Sequence, residues 1–202
     1  MKYWRKAGTI SIMPRDPEVK VAEADLVFFD TETTGFDLDK ELIEIGLVKV
    51  KAKTFEITAE KDIKIKPAHI ETADPDALGI VGYDPAEWEK DGVDLKTGLE
   101  QFLSYTEGCV LVGHNIAFDW MHIKKSLEQC GLRFNYYYKG LDTFSLAWQK
   151  LVGHQGIDRI SLRELTSYFN IPDGRAHRAI DDAKATYQVF LKLLKEPENR
   201  AF

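Results

Sequence analysis

An apolar run that ends in two carboxylates sets the terms for this chain. Leu26-Val27-Phe28-Phe29 has the character of a buried strand, and Asp30-Thr31-Glu32-Thr33-Thr34-Gly35 follows it without a break. Side chains alternate along a strand, so Asp30 and Glu32 point to one face. Two carboxylates side by side at the end of a hydrophobic strand repel each other and lose solvation, and both effects oppose folding. A divalent cation held by oxygen ligands offsets that cost. A solvated acidic turn that merely closes the strand avoids it. Asp-x-Glu alone leaves both readings open.

The 202 residues suffice for one sizeable α/β domain with a small appendage. No run approaches the ~18 apolar residues of a membrane span. Lys2, Arg5 and Lys6 precede no apolar block, so the N-terminus is not a secretory signal. With no export signal and only Cys109 and Cys130, the expectation is a protein of the reducing cytoplasm. Cys109 opens the apolar run Cys109-Val110-Leu111-Val112 and reads as a small core residue. No Cys/His spacing suits zinc. The net charge of −6 argues against a broad electrostatic grip on long nucleic acid. Bound cations can still reverse the sign of one site locally.

Residues 1–22 lack periodicity, carry Pro14 and Pro17, and read as an N-terminal extension; residues 23–202 form the domain. Tyr3 and Trp4 among Lys2, Arg5 and Lys6 would suit a stacking contact, or the segment packs on its own domain. Strands are expected at about 25–30, 41–50 and 54–66, the last with Phe55, Ile57, Ile63 and Ile65 on a period of two. Short links between them predict an antiparallel meander with Lys49, Lys51 and Lys53 at a hairpin tip. The Pro- and Gly-rich stretch from Pro67 to Gly92 reads as loop with one short helix near 75–79. Leu95, Leu99, Phe102 and Leu103 mark an amphipathic helix that ends at Gly108. Strand 109–113, helix 116–130, a short strand near 139–142 and helices near 143–151 and 161–169 follow. Gly153-His154-Gln155-Gly156 reads as a mobile connector. The last helix spans about 178–195, with Ile180, Ala183, Tyr187, Phe190, Leu191 and Leu194 on one stripe. A meander followed by strands alternating with helices predicts a mixed sheet with helices on both faces. The carboxyl ends of its first and fourth strands are then neighbours, where ligands bind in open α/β sheets.

Four stretches gather at that edge: Asp30-x-Glu32, Gly113-His114-Asn115-Ile116-Ala117-Phe118-Asp119, Leu141-Asp142-Thr143, and His177-Arg178-Ala179-Ile180-Asp181-Asp182-Ala183. Each alone has an ordinary explanation, as a helix cap or a first-turn acid. Together they resemble the DnaQ-like 3′–5′ exonucleases of the DEDD class, in the subgroup whose third motif carries histidine. Asp30-x-Glu32, Asn115-x-x-Phe118-Asp119 and His177 followed by Asp182 match the three motifs in order, and the likeness covers about residues 24–195. Helical periodicity does not choose between Asp181 and Asp182; the spacing from His177 in the resembled motif picks Asp182. His177 and Asp182 are too far round a helix to share a face, so His177 belongs in the loop before it, after Gly174.

The resemblance implies an RNase H-like, mixed five-stranded sheet, an antiparallel three-strand meander followed by parallel strands. It implies a cage of Asp30, Glu32, Asp119 and Asp182 for two Mg²⁺ or Mn²⁺ ions, with His177 as general base. Thr33, the backbone near Gly35, Phe36 and Phe118 would contact the terminal nucleotide, with His114 and Asn115 in reach. Residues 77–83 resemble the segment beside the substrate strand, with Val81 where many relatives carry histidine. The implied activity is metal-dependent 3′–5′ hydrolysis of DNA, single-stranded or frayed, to nucleoside 5′-monophosphates. The alternatives are an RNA-trimming enzyme of the same superfamily and a catalytically silent nucleic-acid-binding module. The implied settings are a DNA polymerase partner or a free-standing repair enzyme, and the few residues after the last helix favour the second.

Overall fold

Alternating apolar residues build the sheet, and the computed structural model describes residues 20–133, 137–172 and 177–197. Tyr3, Trp4, the two prolines and nearly all of the expected extension, together with Gly174, lie outside those residues. The strands are β1 (Leu26–Thr33), β2 (Leu42–Val50), β3 (Ile57–Lys64), β4 (Val110–Gly113) and β5 (Tyr137–Asp142). Their order across the sheet is β3-β2-β1-β4-β5. β1–β2 and β2–β3 pair antiparallel, and β1–β4 and β4–β5 pair parallel. This is the expected meander followed by parallel strands. The helices are α1 (Pro75–Val81), α2 (Pro85–Asp91), α3 (Leu95–Thr106), α4 (Ala117–Gln129), α5 (Thr143–Leu151), α6 (Leu162–Tyr168) and α7 (Ala179–Leu193).

β1 is the centre of the core because both of its faces are buried. Val27 and Phe29 pack with Leu99 and Phe102 of α3 and Ile123 and Leu127 of α4. Leu26 and Phe28 face the other way, onto Ala183 and Phe190 of α7. Phe28 meets Tyr187 and Phe190 edge-on, with ring centroids 5.2 and 5.3 Å away. The alternation continues past Phe29, so Asp30 and Glu32 fall on the α7 face and Thr31 on the α4 face. Gly46 of β2 lets α7 come close: a Cβ there would sit 2.0 Å from the Ala179 carbonyl carbon, so only glycine fits.

Several expectations are corrected. β1 runs on to Thr33, so Asp30 and Glu32 lie within the strand, opposite Gly46 and Glu44 of β2. α2 occupies part of the stretch expected to be loop. Its single apolar anchor is Trp88, buried with its indole N–H donating to the Ile43 carbonyl (2.9 Å), and seven residues are too few to show a period. Phe55 sits in the β2–β3 turn at φ 55° and Ile57 is exposed, so the period of two holds only at the end of β3 and just past it, at Ile63 and Ile65. The buried stripe of α7 is Ala179, Ala183, Thr186, Val189, Phe190 and Leu193, rotated from the expected one, and Leu194 is exposed. The connector at 153–156 is a turn in which His154 N–H donates to Leu151 and Ile157 N–H to His154. Cys109 is buried, as expected. Among the described residues no helix is long and apolar enough to cross a membrane.

Candidate active site

Unequal strand lengths make the site. β4 accompanies β1 only from Leu26 to Phe28, so Asp30, Thr31 and Glu32 extend beyond it with one edge free. α4 reaches that edge from one face of the sheet and α7 from the other. The Thr31 amide donates to Asp119 Oδ1 of α4 (2.8 Å), and the Thr31 hydroxyl donates to the same oxygen (2.7 Å). Across the strand, Asp182 Oδ2 accepts from the His177 amide (3.1 Å). Glu32, His177 and Asp182 offer ligand atoms that all lie within 4.8 Å of one another.

An open cavity of about 310 Å³ is lined by Asp30, Thr31, Glu32, Phe36, His114, Asn115, Phe118, Asp119, His177 and Asp182. Nine of these ten are residues that the motifs single out; Thr31 is the addition. His177 is exposed and stands in the loop before α7 with φ 63°, an unusual backbone state for a non-glycine residue and one that clusters at functional sites. Asn115 also has positive φ (59°), which asparagine tolerates, and its amide donates to Asp142 Oδ1 (2.9 Å). Asp142 caps α5 with the same oxygen, so the third stretch positions Asn115 without lining the cavity. His114 Nδ1 is 3.0 Å from the Thr143 hydroxyl. Burial pulls its pKa down, while Asp142 and the Ile160 backbone pull the other way.

Phe36 is 83% exposed, and its ring centroid lies 5.4 Å from that of Phe118, which rests on His122 at 4.7 Å. The turn that presents Phe36 is tied to α4 by Lys125, whose ammonium donates to the Lys40 carbonyl (2.6 Å). Thr33 and Gly35 do not line the cavity. Thr33 is buried and spends its hydroxyl on the Gly35 carbonyl (2.6 Å), so both act in shaping the turn. Val81 is also absent from the lining and is buried with Ile43 and Trp88.

The electrostatics follow from crowding. Burial, then Asp119, Asp182, Glu32 and Glu44, hold the Asp30 carboxyl well above the usual carboxylate range. Burial, Asp182 and Glu44 push Glu32 to about 8, against some relief from Arg178. Burial pushes Asp119 to about 7 although the Thr31 hydrogen bonds oppose it. Four carboxylates with hard oxygen donors line one cavity, and burial above all makes Asp30, Glu32 and Asp119 costly to ionise, which fits a site for one or more hard divalent cations.

Residues 27–190 match the exonuclease family, which is most of the chain. The chain belongs to that family. The PolC-type DNA polymerase III of Caldanaerobacter subterraneus subsp. tengcongensis is 34% identical over 179 residues, covering 86% of this chain. The 3′-5′ exonuclease DinG of Staphylococcus saprophyticus is 31% identical over 172 residues, covering 80%. This exonuclease domain spans only 12% and 17% of the lengths of those two relatives. Among solved structures, the zinc-bound form of an E. coli exonuclease I–single-stranded DNA complex matches with a TM-score of 0.72 at 20% identity, covering 86% of this chain and 41% of that one. The likeness bears out the RNase H-like fold.

The motifs do not announce Gly46, Glu44 or Arg178, on which the placement of α7 depends. Arg178, between His177 and Ala179, donates from Nε to Glu44 Oε1 (3.0 Å), and Ala179 N–H points to Glu44 Oε2 (3.5 Å). A lone glycine inside a strand pattern is the one available sign, since it marks a close backbone approach.

Proposed function

We propose that this domain hydrolyses the 3′-terminal phosphodiester of DNA, single-stranded or frayed, and releases nucleoside 5′-monophosphates. The observation that carries the reading is the convergence of Asp30, Glu32, Asp119, Asp182 and His177 on one open cavity at the free edge of β1. Asp30, Glu32, Asp119 and Asp182 would hold two Mg²⁺ or Mn²⁺ ions. Such ions lower the cost of deprotonating water and offset charge on the phosphoryl and leaving oxygens. Family membership and the zinc-bound exonuclease I support divalent-metal chemistry.

The chain's own residues do the rest. His177 projects into the cavity from a loop beside Asp182 and takes the proton of the attacking water. Histidine is the side chain whose chemistry suits proton exchange near neutral pH. Phe36 and Phe118 present aromatic surface to the terminal base, and stacking is indifferent to base identity, as a sequence-blind nuclease requires. His114 and Asn115 flank the sugar-phosphate. The acidic rim disfavours a strand's phosphates unless cations are present, so binding and hydrolysis both depend on metal.

The test is digestion of 5′-labelled single-stranded DNA, duplex DNA and RNA with Mg²⁺, Mn²⁺ or EDTA, beside Asp30→Ala. A ladder from the 3′ end that requires metal, is fastest on single-stranded DNA and disappears in the variant is expected. Faster trimming of RNA would reassign the substrate. Binding without degradation of any substrate would make the domain a silent module.

A further inference from the structure

A second cavity, of about 610 Å³, lies between the α5–α6 connector and α6, outside the carboxylate site. Arg159, Ser161, Arg163, Ser167 and Tyr168 line it. Glu164 also lines it, but its carboxylate is occupied by the amides of Arg159 (2.9 Å) and Ser161 (3.3 Å). Among the described residues neither the Arg159 nor the Arg163 guanidinium has an ion-pair partner. Two unneutralised arginines in one concavity are conspicuous in a chain of net charge −6. Ser161 Oγ accepts from the Glu164 amide (3.2 Å), which leaves its hydroxyl hydrogen available to donate outward.

One residue links this cavity to the catalytic one. Ile160, between Arg159 and Ser161, is a β-branched residue at φ 55°, and its backbone contacts His114, which lines the carboxylate cavity. A strand with its 3′ end among the carboxylates that leaves past His114 would be carried towards the Arg159 side of Ile160. Guanidinium forks match phosphate oxygens in a bidentate manner, and serine hydroxyls add donors. We propose that this cavity is a second subsite, which binds the phosphodiester backbone of the same polynucleotide strand upstream of the scissile bond. It rests on the nuclease reading above for the direction of the strand. It gives an acidic domain a local cationic grip that does not depend on metal.

The experiment measures binding of a 5′-labelled single-stranded oligodeoxynucleotide of roughly 12 residues, and of a dinucleotide, across about 50–200 mM salt. Ca²⁺ replaces Mg²⁺, because its longer, looser coordination holds the 3′ end while disfavouring the tight geometry of hydrolysis. The Arg159→Ala/Arg163→Ala variant should bind the longer strand about tenfold more weakly, with a log–log salt slope shallower by roughly 1.4, that is about 0.7 per lost phosphate contact. The dinucleotide is too short to reach both cavities, so the length advantage of the wild-type protein should shrink. Arg159→Lys/Arg163→Lys should recover most of the slope and less of the affinity. An unchanged slope in a double-alanine variant that melts like wild type overturns the proposal, as do equal losses on the two lengths. If the double-alanine variant loses slope and affinity but the wild-type protein releases no nucleotide with Mg²⁺, the nuclease reading fails and the cavity remains a strand-binding site without a direction. If it degrades DNA and the substitutions change nothing, the subsite alone fails.

Discussion

Two acidic clusters sit on neighbouring strands and are handled in opposite ways. In the cavity, no lysine or arginine among the described residues lines the wall beside Asp30, Glu32, Asp119 and Asp182. One strand over, Glu44, Asp62 and Glu87 close on Arg178 and Lys64. Arg178 Nη2 lies 3.0 Å from Glu44, 3.2 Å from Glu87 and 3.5 Å from Asp62. Lys64 Nζ lies 2.9 Å from Asp62 and 3.3 Å from Glu87. Both cations stand over the Trp88 ring at 5.5–5.6 Å, and that ring is anchored to β2. The second cluster carries its own counter-ions and fixes the start of α7. The first, on the function proposed above, would take its counter-charge from divalent ions. Glu32 and Glu44, opposite each other in the β1–β2 register, mark the border. An acidic cluster is therefore read by where the neighbouring cations stand, and the number of acids does not distinguish the two cases.

The contrast makes predictions of opposite sign. Asp30→Asn should lower turnover by about 10³-fold or more, the several kcal/mol expected for losing a metal-ion ligand. The same substitution should raise the melting temperature of the metal-free protein, because it removes the cost of burying a carboxyl away from its ordinary ionisation. A lower metal-free melting temperature would show that the cage is self-balanced and erase the contrast. His177→Ala should cost about 10²–10⁴-fold in kcat with little change in KM and none in melting temperature, since the side chain is exposed. Steady-state kinetics that show a raised KM at normal kcat would move His177 from proton transfer to binding.

At the self-balanced cluster the sign reverses. Arg178→Met leaves Glu44 buried without its partner and should cost about 3 kcal/mol in denaturant unfolding. Combining it with Glu44→Gln should be much less than additive, and strict additivity would dissolve the pair as a unit. Phe36→Ala lies outside both clusters and should weaken binding by about 1–3 kcal/mol whichever base is terminal, with the fold unaffected. Titration of oligonucleotides that differ only in the last base checks this.

The smallest effect is on pH. Without divalent ions Glu32 keeps its proton to about pH 8 and Asp119 to about pH 7, against ordinary values of 4.5 and 3.8. Folded pKa values above unfolded ones mean that the folded state binds more protons between them, so stability falls as pH rises through that window. The penalty is absent below about pH 4 and complete above about pH 8. Metal-free melting temperatures should therefore drop between pH 5 and 8, by about 2–4 °C per kcal/mol. Saturating Mg²⁺ should flatten most of the trend. What remains belongs to Glu44, which burial and Asp62 push to about 7 and which no solution ion relieves. A slope unchanged by Mg²⁺ would place the titration wholly at the self-balanced cluster.

Much of this was readable in the residues. β1, β2 and β4 followed from apolar runs, because a strand buried on both faces imposes its pattern directly on the sequence. The three motifs were legible because metal chemistry restricts residue type more severely than packing does. α2 escaped because one tryptophan shows no period, and the α7 stripe was misplaced because Ala179 and Thr186 are buried by contact with the sheet despite modest hydrophobicity.

Asp30-x-Glu32 thus determined by itself that two carboxylates would share one face of a central strand, since strand alternation is local geometry. The sequence could not decide what stands opposite them. That β4 stops at Gly113 and leaves the Thr31 amide for Asp119, that Gly46 admits α7 to bring Asp182 across, and that Arg178 pairs directly with Glu44 are settled by contacts between residues far apart in the chain. Whether a cluster of acids is balanced depends on where distant cations come to rest, and only the folded chain fixes those distances.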